Sequence, residues 1–182
     1  MKTLQRLGIA ALVIAVLAWA AWRWAVTPRA TDSIPAARPD SVSAGFKSAR
    51  LYFAAPSGDS LVSETREMME VQSLHERVAA LVGELDRGPT AGGVAALPAG
   101  TAVLHVFLDD RGTMTLDLTR VFAQGFHSGS TAEYLAIASL VRTLGANVPD
   151  VRRILITCGG APLATLGGHL PLDRPIEVST LH

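Results

Sequence analysis

Apolar residues recur at two different spacings along the second part of this 182-residue chain, and each spacing predicts a type of element. The helical pattern is the clearest, with six apolar positions that are Val71, Leu74, Val78, Leu81, Val82 and Leu85. They define one face of an amphipathic helix of about four turns. Gly88-Pro89 follows, and a glycine followed by proline is typical of the residues that end a helix.

Strand patterns lie on both sides of this helix. Residues 49–53 and 61–66 are rich in apolar and β-branched side chains and flank turn-forming residues at 56–59, which predicts a hairpin. Residues 102–108 are apolar on both faces except for His105, so we expect a central strand there. After a turn at 109–112, residues 113–118 alternate as the next strand.

The last third of the domain predicts a second helix and a final strand. Ser130 and Glu133 have the spacing of a capping box, in which each side chain accepts an N–H of the first helical turn. The helix should continue to about Gly145, and residues 151–158 should form a strong strand. The order β β α β β α β predicts an α+β fold in which two helices pack on one mainly antiparallel sheet as a two-layer sandwich.

The chain begins with an apolar segment that predicts a membrane anchor. Residues 7–22 contain no charged residue, Asn, Gln or Pro, and Lys2 and Arg6 precede them. Three tryptophans at the far end, Trp19, Trp22 and Trp24, suit a membrane interface. We expect a transmembrane helix within residues 1–26, although a signal peptide cleaved after Ala20 is the alternative.

Composition divides the chain further and excludes some classes of partner. Residues 27–46 are rich in Pro, Ala and Ser and predict a linker, which leaves residues 47–182 as one domain. The domain has 11 basic and 14 acidic residues, a net charge of −3, which argues against nucleic-acid binding. Its one cysteine, Cys158, cannot form an internal disulfide and should be buried and inert.

The histidines, serines and aspartates of the sequence form no evident catalytic, cofactor-binding or metal-binding motif. His75 is expected at a solvated boundary, and His105 half-buried in its strand. His169 is the most interesting histidine because it follows Gly167-Gly168. Ser128 and Ser130 lack the Gly-x-Ser-x-Gly elbow of a hydrolase, and Asp109-Asp110 lacks the other positions of a calcium loop. We therefore expect no metal, no cofactor, no small-molecule substrate and no enzymatic activity.

Six short motifs in a fixed order carry a resemblance to a known family. They are Leu51-Tyr52-Phe53 with Gly58 and Leu61-Val62-x-Glu64-x-Arg66, then Gly88-Pro89-Thr90, Leu97-Pro98-x-Gly100-Thr101, Glu133 with Leu140-Val141-x-Thr143-Leu144, Val151 with Ile154-Leu155-Ile156, and Thr165-Leu166-Gly167-Gly168-His169. In this order they resemble the GerMN domain of sporulation and spore-germination proteins over roughly residues 47–180. The resemblance implies an architecture like that of ring-building modules. It also implies that ten motif residues serve the fold: Gly88, Pro89, Pro98, Gly100, Thr101, Glu133, Thr143, Gly167, Gly168 and His169.

The resemblance also implies a function in the bacterial envelope. We expect a single-pass protein of the inner membrane whose domain lies on the extracytoplasmic side and binds envelope proteins or itself without enzymatic activity. This chain has one copy of the domain and no lipidated cysteine, whereas GerM has two copies and many relatives carry a lipid. A role in sporulation therefore stays open.

Two other functions remain as alternatives. A module that binds peptidoglycan or another glycan would need exposed aromatics, for which Tyr52, Phe107, Phe122 and Phe126 are the candidates. An envelope hydrolase is the second alternative. It would need His127 or His169 to meet Ser128 or Asp117 in a pocket.

Overall fold

The computed structural model describes Trp19 and residues 45–181. The predicted anchor and nearly all of the predicted linker lie outside the described residues, apart from Trp19 and the first residues of the strand that follows. Within the part of the chain that is described, no helix is both long and apolar enough to cross a membrane.

The domain begins with a hairpin and a helix, as the apolar pattern predicts. Strands β1 (Phe46–Ala54) and β2 (Leu61–Met69) pair antiparallel as a two-stranded sheet. Helix α1 (Leu74–Arg87) starts after Ser73, whose hydroxyl accepts the N–H of Glu76 at 3.1 Å. Gly88 ends the helix with a φ of 85°, a backbone conformation that glycine adopts without steric cost.

The remaining elements form a second sheet with two helices. They are β3 (Val103–Leu108), β4 (Thr113–Leu118), α2 (Val121–Gln124), α3 (Ser130–Asn147), β5 (Arg153–Cys158), β6 (Ala161–Pro162), β7 (Ile176–Glu177) and a final 3₁₀ turn (Val178–Thr180). The strands of this sheet follow the order β3-β4-β5-β6, and β7 pairs with β5. Apolar side chains from one face of β4 and β5 form a single core with those of α1, α3 and β1.

The α+β class is confirmed, but the prediction of a single sheet is wrong. The pairing of the described strands is mainly antiparallel as predicted, since only β4 and β5 pair in parallel. The described residues form two sheets, and β4 and β5 run parallel at the centre of the larger one. The reason is α3, which lies between these two strands in the chain. A helix of this length carries the chain back to the start of the sheet, so the second strand enters in the same direction as the first.

The position of β3 also differs from the prediction. This strand lies at the edge of the five-stranded sheet rather than at its centre, and β4 and β5 are the interior strands. Val106 and Leu108 face the core, whereas Phe107 is 66% exposed. Only one face of β3 is therefore packed against the core, and the apolar residues on its other face are exposed.

Candidate functional site

Glu133 is the most buried carboxylate of the predicted motif residues, with no exposed surface. Its Oε1 accepts the backbone N–H of Leu166 at 3.0 Å, and its Oε2 accepts that of His169 at 2.9 Å. Nδ1 of His169 lies 3.0 Å from the same Oε2. Burial alone would raise the pKa of Glu133, but the N–H groups of this loop outweigh it and hold the pKa below its usual value.

These contacts replace the capping box that the spacing of Ser130 and Glu133 predicts. Gly129 is the N-cap of α3, and no side chain caps the helix there. Glu133 instead points inward and holds the loop over residues 166–169. Gly167 lies so close that a Cβ on it would be 3.1 Å from Glu133 Oε2 and 2.9 Å from the ring of Phe126. Gly168 has a φ of 94°, so both glycines are needed for this loop to close on the carboxylate.

A second anchor joins β2, the end of α1 and the loop that follows it. Arg66 donates to Oε1 of Glu64 at 2.8 Å, to Oε2 of Glu84 at 2.6 Å and to the carbonyl of Gly88 at 2.6 Å. Glu64 also accepts the N–H of Thr90 at 2.9 Å and the hydroxyl of Thr90. The bonds from Arg66 and Thr90 lower the pKa of Glu64 from 4.5 to about 2.

Asp86 at the end of α1 forms a third anchor. Its Oδ1 accepts the backbone N–H groups of Gly100 at 2.7 Å and of Thr101 at 3.1 Å. The Thr101 hydroxyl donates to the carbonyl of Pro98 at 2.6 Å, and Thr101 is 2% exposed. The Pro-x-Gly-Thr motif is thus a turn fastened to the helix immediately before β3.

Three side chains of α3 cover the edge of β1. Ser139 donates to the carbonyl of Tyr52 at 2.5 Å, and Thr143 accepts the N–H of Tyr52 at 3.1 Å. Asn147 bonds both backbone groups of Arg50, at 2.7 and 2.9 Å. The resemblance indicated only Thr143, but the spacing i, i+4, i+8 of three polar residues on an otherwise apolar helix is a signal that the sequence offered.

Of the histidine pairs that a hydrolase would need, only His127 and Ser128, which are neighbours in the chain, line one cavity together. His169 lies against Glu133, and Nδ1 of His105 lies 3.4 Å from Oδ2 of Asp117. His127 and Ser128 line a cavity of 650 Å³ that neither His169 nor Asp117 lines. The side chain of His105 is 86% exposed, so the prediction that it is half-buried is wrong, because β3 lies at the sheet edge.

Asp117 has a structural task of its own. It is 7% exposed and accepts the Thr157 hydroxyl at 2.9 Å and the Gly160 N–H at 2.9 Å. Cys158 is buried as expected, and burial together with the charge of Asp117 raises its pKa to about 11. Within the described part of the chain, no group of three His, Cys, Asp or Glu side chains could hold a metal ion.

The four aromatic candidates for glycan binding have different environments. Phe122 is fully buried, and the Tyr52 ring lies beneath the Arg142 guanidinium at 4.3 Å. Phe126 is half-buried and close to Gly167. Phe107 alone of the four is widely exposed, at 66% of its surface.

The edges of the two sheets are protected to different extents. β1 is covered by α3, and β2 is fastened to the end of α1 and the following loop through Arg66 and Glu64. Glu67 adds an exposed charge to β2, which discourages a further strand. β6 and β7 are two residues long, and β6 contains Pro162. β3 is six residues long, carries no Asp, Glu, Lys or Arg, and no strand among residues 45–181 pairs with its outer edge.

Comparisons with known proteins agree with the resemblance in the motifs. The model of a family described as Germane, sporulation and spore germination, matches residues 50–164. The tandem GerMN domains of the sporulation protein GerM from Bacillus subtilis superpose with a TM-score of 0.58 at 18% identity, over 73% of this chain and 46% of that one. The first GerMN domain alone gives 0.57 at 20% identity, over 72% and 97%.

A third solved structure is a candidate lipoprotein from Clostridium perfringens. It superposes with a TM-score of 0.52 at 20% identity, over 73% of this chain and 88% of that one. At such identities the superpositions show a shared fold. No protein with a curated description matches the chain in sequence.

Proposed function

The chain belongs to the Germane family, whose model matches residues 50–164, and from this premise we propose that its domain is a non-enzymatic interaction and scaffold module of the bacterial cell envelope. Membership supports a GerMN-type module, and the similar structures come from a sporulation protein and a candidate lipoprotein. Sporulation or germination is the context of those relatives. The role of this chain is the more general one of holding envelope proteins together.

The observation that carries the proposal is that the buried or anchoring carboxylates bind backbone of the same domain. Glu133, Glu64 and Asp86 each accept at least two backbone N–H groups from a loop. A catalytic acid or base must reach a substrate, and these three are engaged in fastening loops. Such a domain offers a partner its shape, its strand edge and its exposed apolar side chains.

We further propose that the apolar segment at residues 7–22 tethers the domain to the inner membrane, with residues 47–182 on the extracytoplasmic side. The basic residues Lys2 and Arg6 favour an inside N-terminus. A reporter that is active only outside the cytoplasm, fused after His182, should be active. A stable but inactive fusion would contradict this topology.

Capture from membranes tests the scaffold function. The tagged full-length chain, cross-linked in living cells, should retain a defined set of envelope proteins. A chain of residues 1–46 fused to the same tag is the control for binding through the anchor alone. If both retain the same proteins, the domain binds no specific envelope protein and the proposal is wrong.

Glycan binding is the second candidate, and the exposure of Phe107 favours it. Aromatic rings bind sugars through their apolar faces, and Phe107 is 66% exposed beside His105. Sedimentation with purified peptidoglycan measures this directly. Binding that is lost in Phe107→Ala and kept in the equally exposed Met69→Ala would favour the glycan function over the scaffold function.

A further inference from the structure

We propose that β3 is the strand through which two copies of this chain pair, edge to edge and antiparallel, so that their five-stranded sheets become continuous. The inference rests on the proposed scaffold function and names one surface and one partner for it. The surface is the outer edge of Val103–Leu108.

The first argument is the contrast between β3 and the other strand edges. An open edge presents unpaired N–H and C=O groups, and proteins usually cover or charge such an edge to prevent association. This domain does so at β1 and β2 and keeps β6 and β7 very short. β3 carries no charged residue, and no strand among residues 45–181 pairs with its outer edge. Its one protective feature is the irregularity at Leu104, and residues 105–108 pair with β4 in regular register.

The second argument is the apolar surface that accompanies the free edge. Phe107 is 66% exposed and Leu104 is 39% exposed, and both lie on β3. Leu104 lies where the register between β3 and β4 shifts, which brings both Leu104 and the neighbouring His105 to the surface. Backbone pairing along the edge together with burial of these side chains is the usual mode of strand addition.

The third argument is charge, which favours a second copy in the antiparallel sense. β3 has no charged residue, but Asp109, Asp110 and Arg111 follow it directly. In a parallel pair, these charges would lie beside their own copies. In an antiparallel pair around Val106, they lie beside residues 101–103 of the other copy, which are uncharged. Like charges therefore oppose the parallel pair alone.

The antiparallel pair also matches side chains on the outer face of the sheet. A two-fold axis perpendicular to the sheet and midway between the two copies of Val106 places His105 opposite Phe107 of the second copy. Both residues already face the same side, because they pair with Asp117 and Thr115 of β4. Two such pairs would cover both exposed rings, and closed two-fold dimers are the commonest assemblies of identical chains.

Spin-label distances in the full-length chain, solubilised in detergent micelles, test the geometry. A label at Thr115→Cys on β4 should give a Cα separation of roughly 16 Å between copies, from three strand spacings of about 4.8 Å and an offset along the strands of about two residues. A label at Ala161→Cys on β6 should give roughly 36 Å, from seven spacings and an offset of about four residues. Buried Cys158, whose pKa is raised to about 11, should react little with the label.

Two substitutions of equal exposure test the surface. Phe107→Lys places a charge on the proposed edge, whereas Met69→Lys places one on β2 at a site that is 62% exposed. We expect Phe107→Lys to weaken dimerisation at least about tenfold and Met69→Lys to change it less than about twofold. Both variants keep residues 1–46, so association through the anchor cannot produce the difference. A net charge of −3 on each domain also predicts that added salt strengthens the dimer.

The experiments distinguish a failure of the β3 dimer from a failure of the scaffold function. A wild-type chain that stays monomeric, or dimers in which the Ala161 labels are closer than the Thr115 labels, would overturn the β3 proposal. If a monomeric wild type still captures envelope proteins, the scaffold function stands without it. If Phe107→Lys then abolishes that capture, the edge accepts a strand of another protein, and the second copy is the wrong partner.

Discussion

β1 and β3 each have one edge whose backbone N–H and C=O groups lack a neighbouring strand, and the two edges differ in how they are covered. Three polar side chains of α3 bond the free backbone groups of β1 at Arg50 and Tyr52, as a neighbouring strand would. No described strand pairs with the outer edge of β3, and this strand exposes Leu104, His105 and Phe107. At β1, side chains of the same domain satisfy the backbone groups of the strand edge, whereas at β3 a partner can do so.

The same contrast separates the motif residues from the exposed surface. Glu133, Glu64 and Asp86 fasten loops, and the glycines let those loops approach. Substitutions at such anchors should therefore lower the free energy of unfolding and affect binding only by unfolding the domain. Substitutions on β3 should weaken association and leave the free energy of unfolding nearly unchanged.

The largest effect is expected at Glu133. Glu133→Ala removes the acceptor of two backbone N–H groups and leaves a cavity at a fully buried site. We expect the free energy of unfolding to fall by about 3 kcal/mol. Chemical denaturation measures it, with Glu67→Ala on the exposed side of β2 as the control. Equal stability of the two variants would show that the carboxylate does not hold the loop.

A smaller effect is expected at Thr143. Thr143→Val keeps the side-chain shape but removes the acceptor of the Tyr52 N–H at a site with no exposed surface. The free energy of unfolding should fall by about 1–2 kcal/mol, the cost of one buried unsatisfied donor. Thr65→Val, on the exposed face of β2, is the control. Faster amide exchange at Tyr52 in the first variant alone would locate the change at the β1 edge.

The anchor at Glu64 should make stability depend on acid. Its pKa is lowered from 4.5 to about 2 by bonds from Arg66 and Thr90. A carboxyl with a lowered pKa in the folded state contributes stability above pH 4.5, and that contribution is lost as the pH falls toward 2. Thermal unfolding across this range should show a shallower loss for Glu64→Gln than for the wild type. Parallel curves for the two proteins would contradict the anchor.

The smallest effect on stability is expected on β3. Phe107→Lys changes a side chain that is 66% exposed, so the free energy of unfolding should shift by less than about 0.5 kcal/mol. The same variant should lose dimerisation, as proposed above. A large loss of stability with no change in association would reverse the comparison, because it would make β3 part of the internal framework.

Much of the local structure could be predicted from short-range pattern. Both strands of the first hairpin, the face of α1, its end at Gly88 and the Asp109–Gly112 turn are all present, because each depends on residues close together in the chain. The family resemblance is confirmed for a similar reason, since ordered short motifs survive where overall identity is near 20%. The burial of Cys158 also follows from its place at the end of an apolar run.

The spacing of residues in the sequence could not predict which distant residues a side chain or strand contacts. Glu133 has the spacing of a capping residue, but a loop more than thirty residues later provides its donors. β3 is apolar on both faces whether a sheet layer or a second molecule covers it, and only the strand order places it at an edge.

The main elements and the family follow from the amino-acid sequence, because these depend on neighbours within a few positions. Three features emerge only in the folded domain: β4 and β5 run parallel, α3 covers β1, and β3 lies at a sheet edge. Those features depend on contacts between residues far apart in the chain, and neither composition nor periodicity records them.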